Sequence, residues 1–445
     1  MNYCTRFLLG IKDTRLIFDP KFGKNFITEG SYHHQNVHFV HLLQTYPCFC
    51  SVCQRKMLRN GFKLTKAVGL PAAGVTNILC IRKQKFICPK SKKCPQVITK
   101  IAKVAGIQPK NQISDAVRYR AVIELGKNIS QTDIAENYAI SPMTIMRFSK
   151  QFTEYIQPNY HWLPADIAVD DFKSGKFAKS GMSLLVMDSV HHRTIDIIES
   201  RTSNFIKSYF LKYSFTARKA VKTVIVDLYS PYRPLIHELF PNAIIIADHF
   251  HIVVQAFQAL NSVRLHVMKQ AGNGSHDWRA LKRYWKLLMK DSAELDYQHY
   301  SKRINFQNRQ LCDADVVDLL LNMSDELKKA YNYYQQLLHV IHHQDTESLS
   351  NLLNSAAGMP EQIKKANRTL RKHQSEIINS FKTSFSNGPV EGTNNKIKVI
   401  KRTAYGFRNF ENFRLRILLS LKNSYVSLNY HYYIKKAIHS TEQIA

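Results

Sequence analysis

The sequence predicts an α/β multidomain protein: small N-terminal modules, then a mixed-sheet core interrupted by an all-helical insertion. Three observations carry this prediction. Six of the eight cysteines lie between Cys48 and Cys94. Five short β-rich runs between residues 167 and 248 are interleaved with helical stretches. From about 251 to 385, apolar residues recur at helical spacing in a background rich in Lys, Gln, Leu, Tyr and His.

Composition sets the outer bounds. The 445 residues are 44% hydrophobic, enough for two or three packed domains. The formal net charge is +30, from 63 Lys and Arg against 33 Asp and Glu, spread over the whole chain. Such a surplus favours a polyanionic partner, nucleic acid ahead of a membrane surface. No apolar run approaches the ~18 residues of a membrane span, and the opening MNYCTRFLLGIKDTR is a poor signal peptide. A cytoplasmic protein without a membrane partner is expected. Disulfides are rare there, so the clustered cysteines need another role.

Taken in order, residues 1–47 are weakly patterned and stay unassigned. Residues 48–100 hold Cys50-x2-Cys53 and Cys88-x5-Cys94. Two close pairs on separate turns suit a closed, four-thiolate structural Zn²⁺ site, because tetrahedral zinc takes ligands from two knuckles. Cys48 or Cys80 can replace a member of either pair, and a set of free thiols is the bland alternative. Residues 101–160 contain SQTDIAENYAISPMTIMRFSKQF, with the grammar of a helix-turn-helix. Ser130 caps a first helix with Ile134 and Ala135 inside. A short turn spans 138–140, and Ser141 with Pro142 opens a second helix with Ile145 and Phe148 inside. Met143, Thr144 and Arg147 then point outward, toward a DNA major groove. A generic helical hairpin has the same pattern.

The core begins over 161–254. Strands are predicted at 167–172, 182–188 and 194–199, then a helix near 203–213, a strand at 223–227, a helix after Pro231, and a strand at 243–248. Uninterrupted runs such as TVIVD suit buried strands of a mixed sheet. Three close strands followed by helix, strand, helix, strand is the order of a ribonuclease-H-like core. The insertion covers 255–385. A closing helix over 386–425 starts at Gly388 and Pro389, and 426–445 is a tail.

Acids are scarce in this basic chain, so their places matter. A ribonuclease-H-like core does phosphoryl transfer with divalent cations that need carboxylate oxygens converging from different elements. Asp170 on the first strand, Asp227 at the end of the fourth and Glu391 on the closing helix occupy the required places. Mg²⁺, or Mn²⁺, is the expected ion. Asp171 neighbours Asp170 but faces the other side of a regular strand. Asp188 ends the second strand. Asp248, with His249 and His251 nearby, is a supporting acid or a helix cap. On the closing helix, Glu391, Asn395, Lys398 and Arg402 share one face, with Val390, Ile397 and Ile400 on another. That stripe sets metal and phosphate neutralisation side by side, although a merely solvated face has the same spacing.

These residues resemble a known family. The cysteine pairs ending in FICPKSKKC, the helix-turn-helix, VDDF, VIVD, ADHFH and above all GPVEGTNNKIKVIKRTAYGFRNFENFRLRI are similar to bacterial insertion-sequence DDE transposases of the ISL-three family. The resemblance runs from about residue 45 to 420. It implies a nucleoid-associated enzyme that binds terminal inverted repeats, cuts the 3′ ends of the element and joins them to target DNA. It further implies Asp170, Asp227 and Glu391 as catalytic metal ligands. VDDF carries Asp171 where the family usually has Glu, and CSVC lacks the usual Pro and Gly. Lys398, Lys401 and Arg402 are expected on the DNA backbone, and at least a dimer is expected because two ends must meet. The alternative is a non-catalytic sequence-specific DNA-binding protein, a repressor or an inactive element product.

Overall fold

Strand-forming sequence fills the first hundred residues, including the stretch that the sequence left unassigned. The computed structural model describes residues 1–151, 153, 156–228, 231–383, 388–421 and 424–426. After α1 (Tyr3–Leu8) come β1 (Leu16–Phe18), β2 (Ile27–Tyr32), β3 (Gln35–Gln44), β4 (Leu58–Val68), β5 (Thr76–Cys88) and β6 (Ile98–Ile101). They form one sheet in the order β1-β3-β5-β4, with β2 also paired to β3 and β6 to β5. The β3–β5 pairing is parallel and the rest antiparallel.

Alternation along β5 sorts its side chains onto two cores, as a strand covered on both faces requires. Leu79 and Ile81 join Leu16, Val40 and Leu42 on one side. Ile78 and Cys80 join Val37 on the other, where three helices cover the sheet. These are α2 (Asp115–Leu125), α3 (Gln131–Asn137) and α4 (Pro142–Gln151). They contribute Val117, Ala121, Leu125, Ile134, Ala135, Tyr138 and Ile145 to that core. Ser130 caps α3 in a reciprocal capping box with Asp133, satisfying two backbone N–H groups at once.

The chain divides into two units: Met1–Pro158 with the residues from Asn395 on, and Asn159–Asn394. The second unit is built on β7 (Asp166–Lys173), β8 (Met182–Asp188), β9 (Arg193–Ile198), β10 (Thr223–Val226) and β11 (Ile244–Ala247). Helices α5 (Ser203–Phe210) and α6 (Phe215–Lys219) precede β10, and α7 (Tyr232–Leu239) precedes β11. The order is β11-β10-β7-β8-β9. β7, β8 and β9 are antiparallel, whereas β10 and β11 run parallel to β7.

A long helix α8 (His249–Gln270) leads from β11 into a helical block with its own core. It continues through α9 (His276–Arg283), α10 (Trp285–Leu288), α11 (Asp313–Leu321), α12 (Asp325–His343), α13 (Thr346–Asn354), α14 (Glu361–Lys372) and α15 (Gln374–Phe381). The block is not all-helical as expected. Between α10 and α11 a small antiparallel hairpin, β12 (Ser301–Arg303) and β13 (Arg309–Leu311), turns through left-handed Gln307 and Asn308. The closing segment is two helices rather than one, α16 (Gly388–Thr403) and α17 (Phe410–Ser420).

Helix α17 packs on α2 and α4. The guanidinium of Arg416, 6% exposed, donates to the carbonyls of Lys127 and Ile129 in the loop between α2 and α3. Burial pulls its pKa down to about 10. The expected tail over 426–445 lies, except for Val426, outside the described residues. Among the described residues, no helix is long and apolar enough to cross a membrane.

Candidate active site and metal centre

Strand register assembles the acids. The β7–β10 pairing sets Thr223 against Asp166 and Ile225 against Ala168. The β10–β11 pairing sets Val226 against Ala247. Carried to the strand ends, the same offsets align Asp170, Asp227 and Asp248 in one row across three parallel strands, about 4.8 Å apart per step. The backbone bond from Asp248 N–H to the Val226 carbonyl, 3.0 Å, continues that pairing. Residues paired across parallel strands point to the same face, so the three carboxylates share it.

The neighbouring acids are placed elsewhere, each for a geometric reason. Asp171 alternates to the opposite face and accepts from Arg201 at 2.7 Å. Asp188 ends an antiparallel strand and so lies opposite Ile167, at the other end of β7. There it accepts from the N–H groups of Val190 and His191 and holds the His191 ring at 2.9 Å.

Around the row the electrostatics are tense. Burial pushes Asp170 up to about 6, with the charges of Asp171 and Asp248 acting in the same direction. Asp248 caps α8, accepting from Phe250 N–H at 3.1 Å, and its other oxygen holds His251 Nδ1 at 2.8 Å. That bond raises the His251 pKa, and the charges of Asp248, Asp170 and Asp227 add to it. The row thus favours the protonated form of His251.

Helix α16 brings in the remaining groups. Glu391 stands exposed in its first turn. Asn394, three residues on and on the same side of the helix, donates from Nδ2 to the Asp170 carboxylate at 2.7 Å. Asn394 is 8% exposed, and its Oδ1 has no hydrogen-bond partner among the described residues. Sequence reasoning passed over Asn394, although an amide one turn after the glutamate was a visible signal. The predicted stripe is present: Asn395, Lys398 and Arg402 are exposed while Val390, Ile397 and Ile400 are buried. Lys401 is half-buried.

In the other unit, four thiols converge. Cys50 and Cys53 sit on a knuckle closed by the Phe49–Lys56 bridge, Cys88 ends β5, and Cys94 closes a turn with Ser91. All four sulfurs lie within 4.8 Å of one another, with Cys50–Cys94 at 3.8 Å and Cys53–Cys88 at 3.6 Å. Sulfurs at the corners of a tetrahedron around zinc, with bonds of about 2.3 Å, are about 3.8 Å apart. The set therefore fits a closed Zn²⁺ site. Backbone N–H groups of Cys53 and Val52 pull the Cys50 thiol down to about 6. Cys48 falls outside this set, beside the Met57 sulfur, and Cys80 points into the helix-covered core.

The second helix of the expected helix-turn-helix is α4. Met143 and Arg147 are exposed and Thr144 half-exposed on α4, while Ile145 and Phe148 are buried.

A model of a transposase family, the ISL-three group of DDE transposases, matches residues 167–417, more than half of the chain. The chain belongs to this family. The transposase for insertion sequence element IS1001 of Bordetella parapertussis is 25% identical over 257 residues, which cover 56% of this chain and 59% of that protein. A Lactococcus lactis protein named ATP-dependent protease is 41% identical over 116 residues, 26% of this chain and 37% of that one. The chain thus spans about a third to three-fifths of the length of these curated relatives. The matched family segment begins inside β7 and ends inside α17, so it includes the carboxylate row and α16.

Proposed function

We propose that this transposase binds the terminal inverted repeats of an insertion sequence, cuts DNA there and joins the freed ends to target DNA. Asp170, Asp227 and Glu391 are the catalytic metal ligands in this reading, for Mg²⁺ or Mn²⁺. The observation that carries it is the row of Asp170 within β7 and Asp227 and Asp248 just past β10 and β11, with Asn394 of the Glu391-bearing helix bonded to Asp170. The strand order, with three antiparallel strands followed by two parallel to the first, supports a ribonuclease-H-like core.

The residues fit a hard divalent cation. The donors are of the kind such a cation takes: carboxylates carried by three neighbouring strands, and the buried Asn394 Oδ1, which has no partner among the described residues, on the helix that also carries Glu391. Bound cations supply activation of the attacking oxygen and stabilisation of the leaving one. The chain's own groups do the positioning. Asn394 fixes one Asp170 oxygen and leaves the other to the row. Asp248 and α8 hold His251 where it offsets the mutual repulsion of the acids. Lys398, Lys401 and Arg402 follow Glu391 along α16 and contact phosphates. Met143, Thr144 and Arg147 read the repeat, the Cys50, Cys53, Cys88 and Cys94 set holds a structural Zn²⁺, and at least a dimer brings two ends together. The protease name belongs to a relative matched over too little of its length to lend this chain its activity.

The test is strand cleavage of DNA carrying the ends that flank the gene. Wild type and Glu391→Gln are compared, each in Mg²⁺ and in EDTA. Cutting that needs both Mg²⁺ and Glu391 is expected. Specific binding without cutting leaves a DNA-binding protein alone, and equal Mg²⁺-dependent cutting by both removes Glu391 from the site.

A further inference from the structure

The hairpin of β2 and β3 turns through just two residues, His33 and His34, between the paired Tyr32 and Gln35. Both histidines are left-handed, with φ of 51° and 64°, as a type I′ turn demands. Asn-Gly meets that demand at least cost, so two imidazoles there are held against a conformational penalty. Both are exposed.

The tip is anchored to the helix-turn-helix. Tyr32 packs against the core that contains Ile134, Ala135, Tyr138 and Ile145. Thr76, at the start of β5, donates to the Asn137 carbonyl at the end of α3, 3.2 Å away. A groove of about 600 Å³ runs between hairpin and helices, with His33 and Gln35 on one wall and Ser141 and Thr144 on the other. Thr144 belongs to the outward face of α4, whose exposed Arg147 and Lys150 add to a chain already at +30. The tip therefore stands at the N-terminal end of α4, the end whose residues reach base edges when such a helix enters a major groove.

We propose that the His33–His34 tip is a second DNA contact, a wing whose imidazole N–H groups donate to phosphates bordering the groove that α4 enters. This rests on the reading of α4 as the DNA-reading helix. The occupant is the same duplex, gripped on its backbone where α4 reads its bases.

The test uses the full chain and duplexes of the DNA flanking the gene. One variant combines His33→Asn with His34→Gly, which keeps the turn type and removes both rings. The other, Arg147→Ala, tests α4 alone. Affinity by fluorescence anisotropy, hydroxyl-radical footprints and thermal melting are recorded for each. The hairpin variant is expected to melt at the same or a higher temperature. It should bind about tenfold more weakly and lose backbone protection on one flank of the footprint. Unchanged affinity and footprint, with Arg147→Ala weakened, overturns the wing and leaves α4 standing. A lower melting temperature accompanying the lost affinity makes the tip a structural element, and also overturns it. Full affinity in Arg147→Ala removes the reading of α4 and the wing with it.

Discussion

The four sulfurs beside β5 and the carboxylates in β7 and just past β10 and β11 differ in donor, in origin and in closure. The sulfurs come from one stretch, Cys50 to Cys94, and face one another in pairs at 3.6 and 3.8 Å. Four thiolates saturate a tetrahedral ion and leave nothing for a substrate. The carboxylates come from Asp170 to Glu391, and Glu391 remains exposed. The proposed reaction needs such an open side, and in this row burial first, then the charges of Asp171 and Asp248, lift Asp170 to about 6. One cluster is closed on itself, and the other keeps an exposed acid on its helix.

Substitutions can break that contrast, and the largest effect is expected at the sulfurs. Cys88→Ser should cost bound zinc and most of the stability of the N-terminal unit, since a structural zinc contributes roughly 10 kcal/mol or more. Metal analysis with thermal melting checks this, and an unchanged melting curve would remove zinc from the fold. At the carboxylates the pattern should invert. Asp227→Asn is expected to lower Mg²⁺-dependent strand cleavage about a thousandfold while zinc content and melting stay as in the wild type. Cleavage surviving that change would move the site off the row.

Smaller effects sharpen the boundary. Asn394→Ala should weaken Mn²⁺ binding, followed by titration calorimetry, by about 10- to 100-fold, as loss of a group that orients a ligand does. Wild-type affinity in that variant would make the Asn394–Asp170 bond incidental. Asp171→Asn severs a partly exposed pair with Arg201 and should cost at most about 1 kcal/mol, with cleavage near wild type. A collapse of cleavage there would reverse the assignment of Asp170 and Asp171. Cys48→Ser, outside the cluster, should stay within about 0.5 kcal/mol of wild type by chemical denaturation and keep its zinc.

Much of this was legible because the informative signals are local. The runs at 182–188 and 223–227 are apolar, bounded by turns, and fall within a residue of β8 and β10. Ser130 and Pro142 marked the starts of α3 and α4 through capping chemistry alone. The sheet of β1 to β6 was not legible. Its β2 alternates only between exposed and half-buried positions filled by mixed polar and apolar residues, and β4 is largely exposed, so no apolar alternation stands out in the sequence. The β12–β13 hairpin is as polar and was absorbed into the helical pattern around it. Asp248 was seen but left between cap and ligand. Its alignment with Asp170 and Asp227 exists only once strand offsets are known, and it acts as a cap as well. Asn394 was missed because the charged stripe drew attention to Asn395, one residue away on the helix.

The docking of α17 has a consequence for the order in which the protein matures. A chain leaves the ribosome N-terminus first, and domains fold as they emerge. Here the carbonyls of Lys127 and Ile129, between α2 and α3, wait for Arg416, and Leu125 waits for the Ser420 hydroxyl. Nearly three hundred residues are synthesised between donor and acceptor. The packing of α2 to α4 is complete only after the segments bearing Asp170, Asp227 and Glu391 have been made, so a nascent chain cannot finish this helical module before its candidate catalytic acids exist.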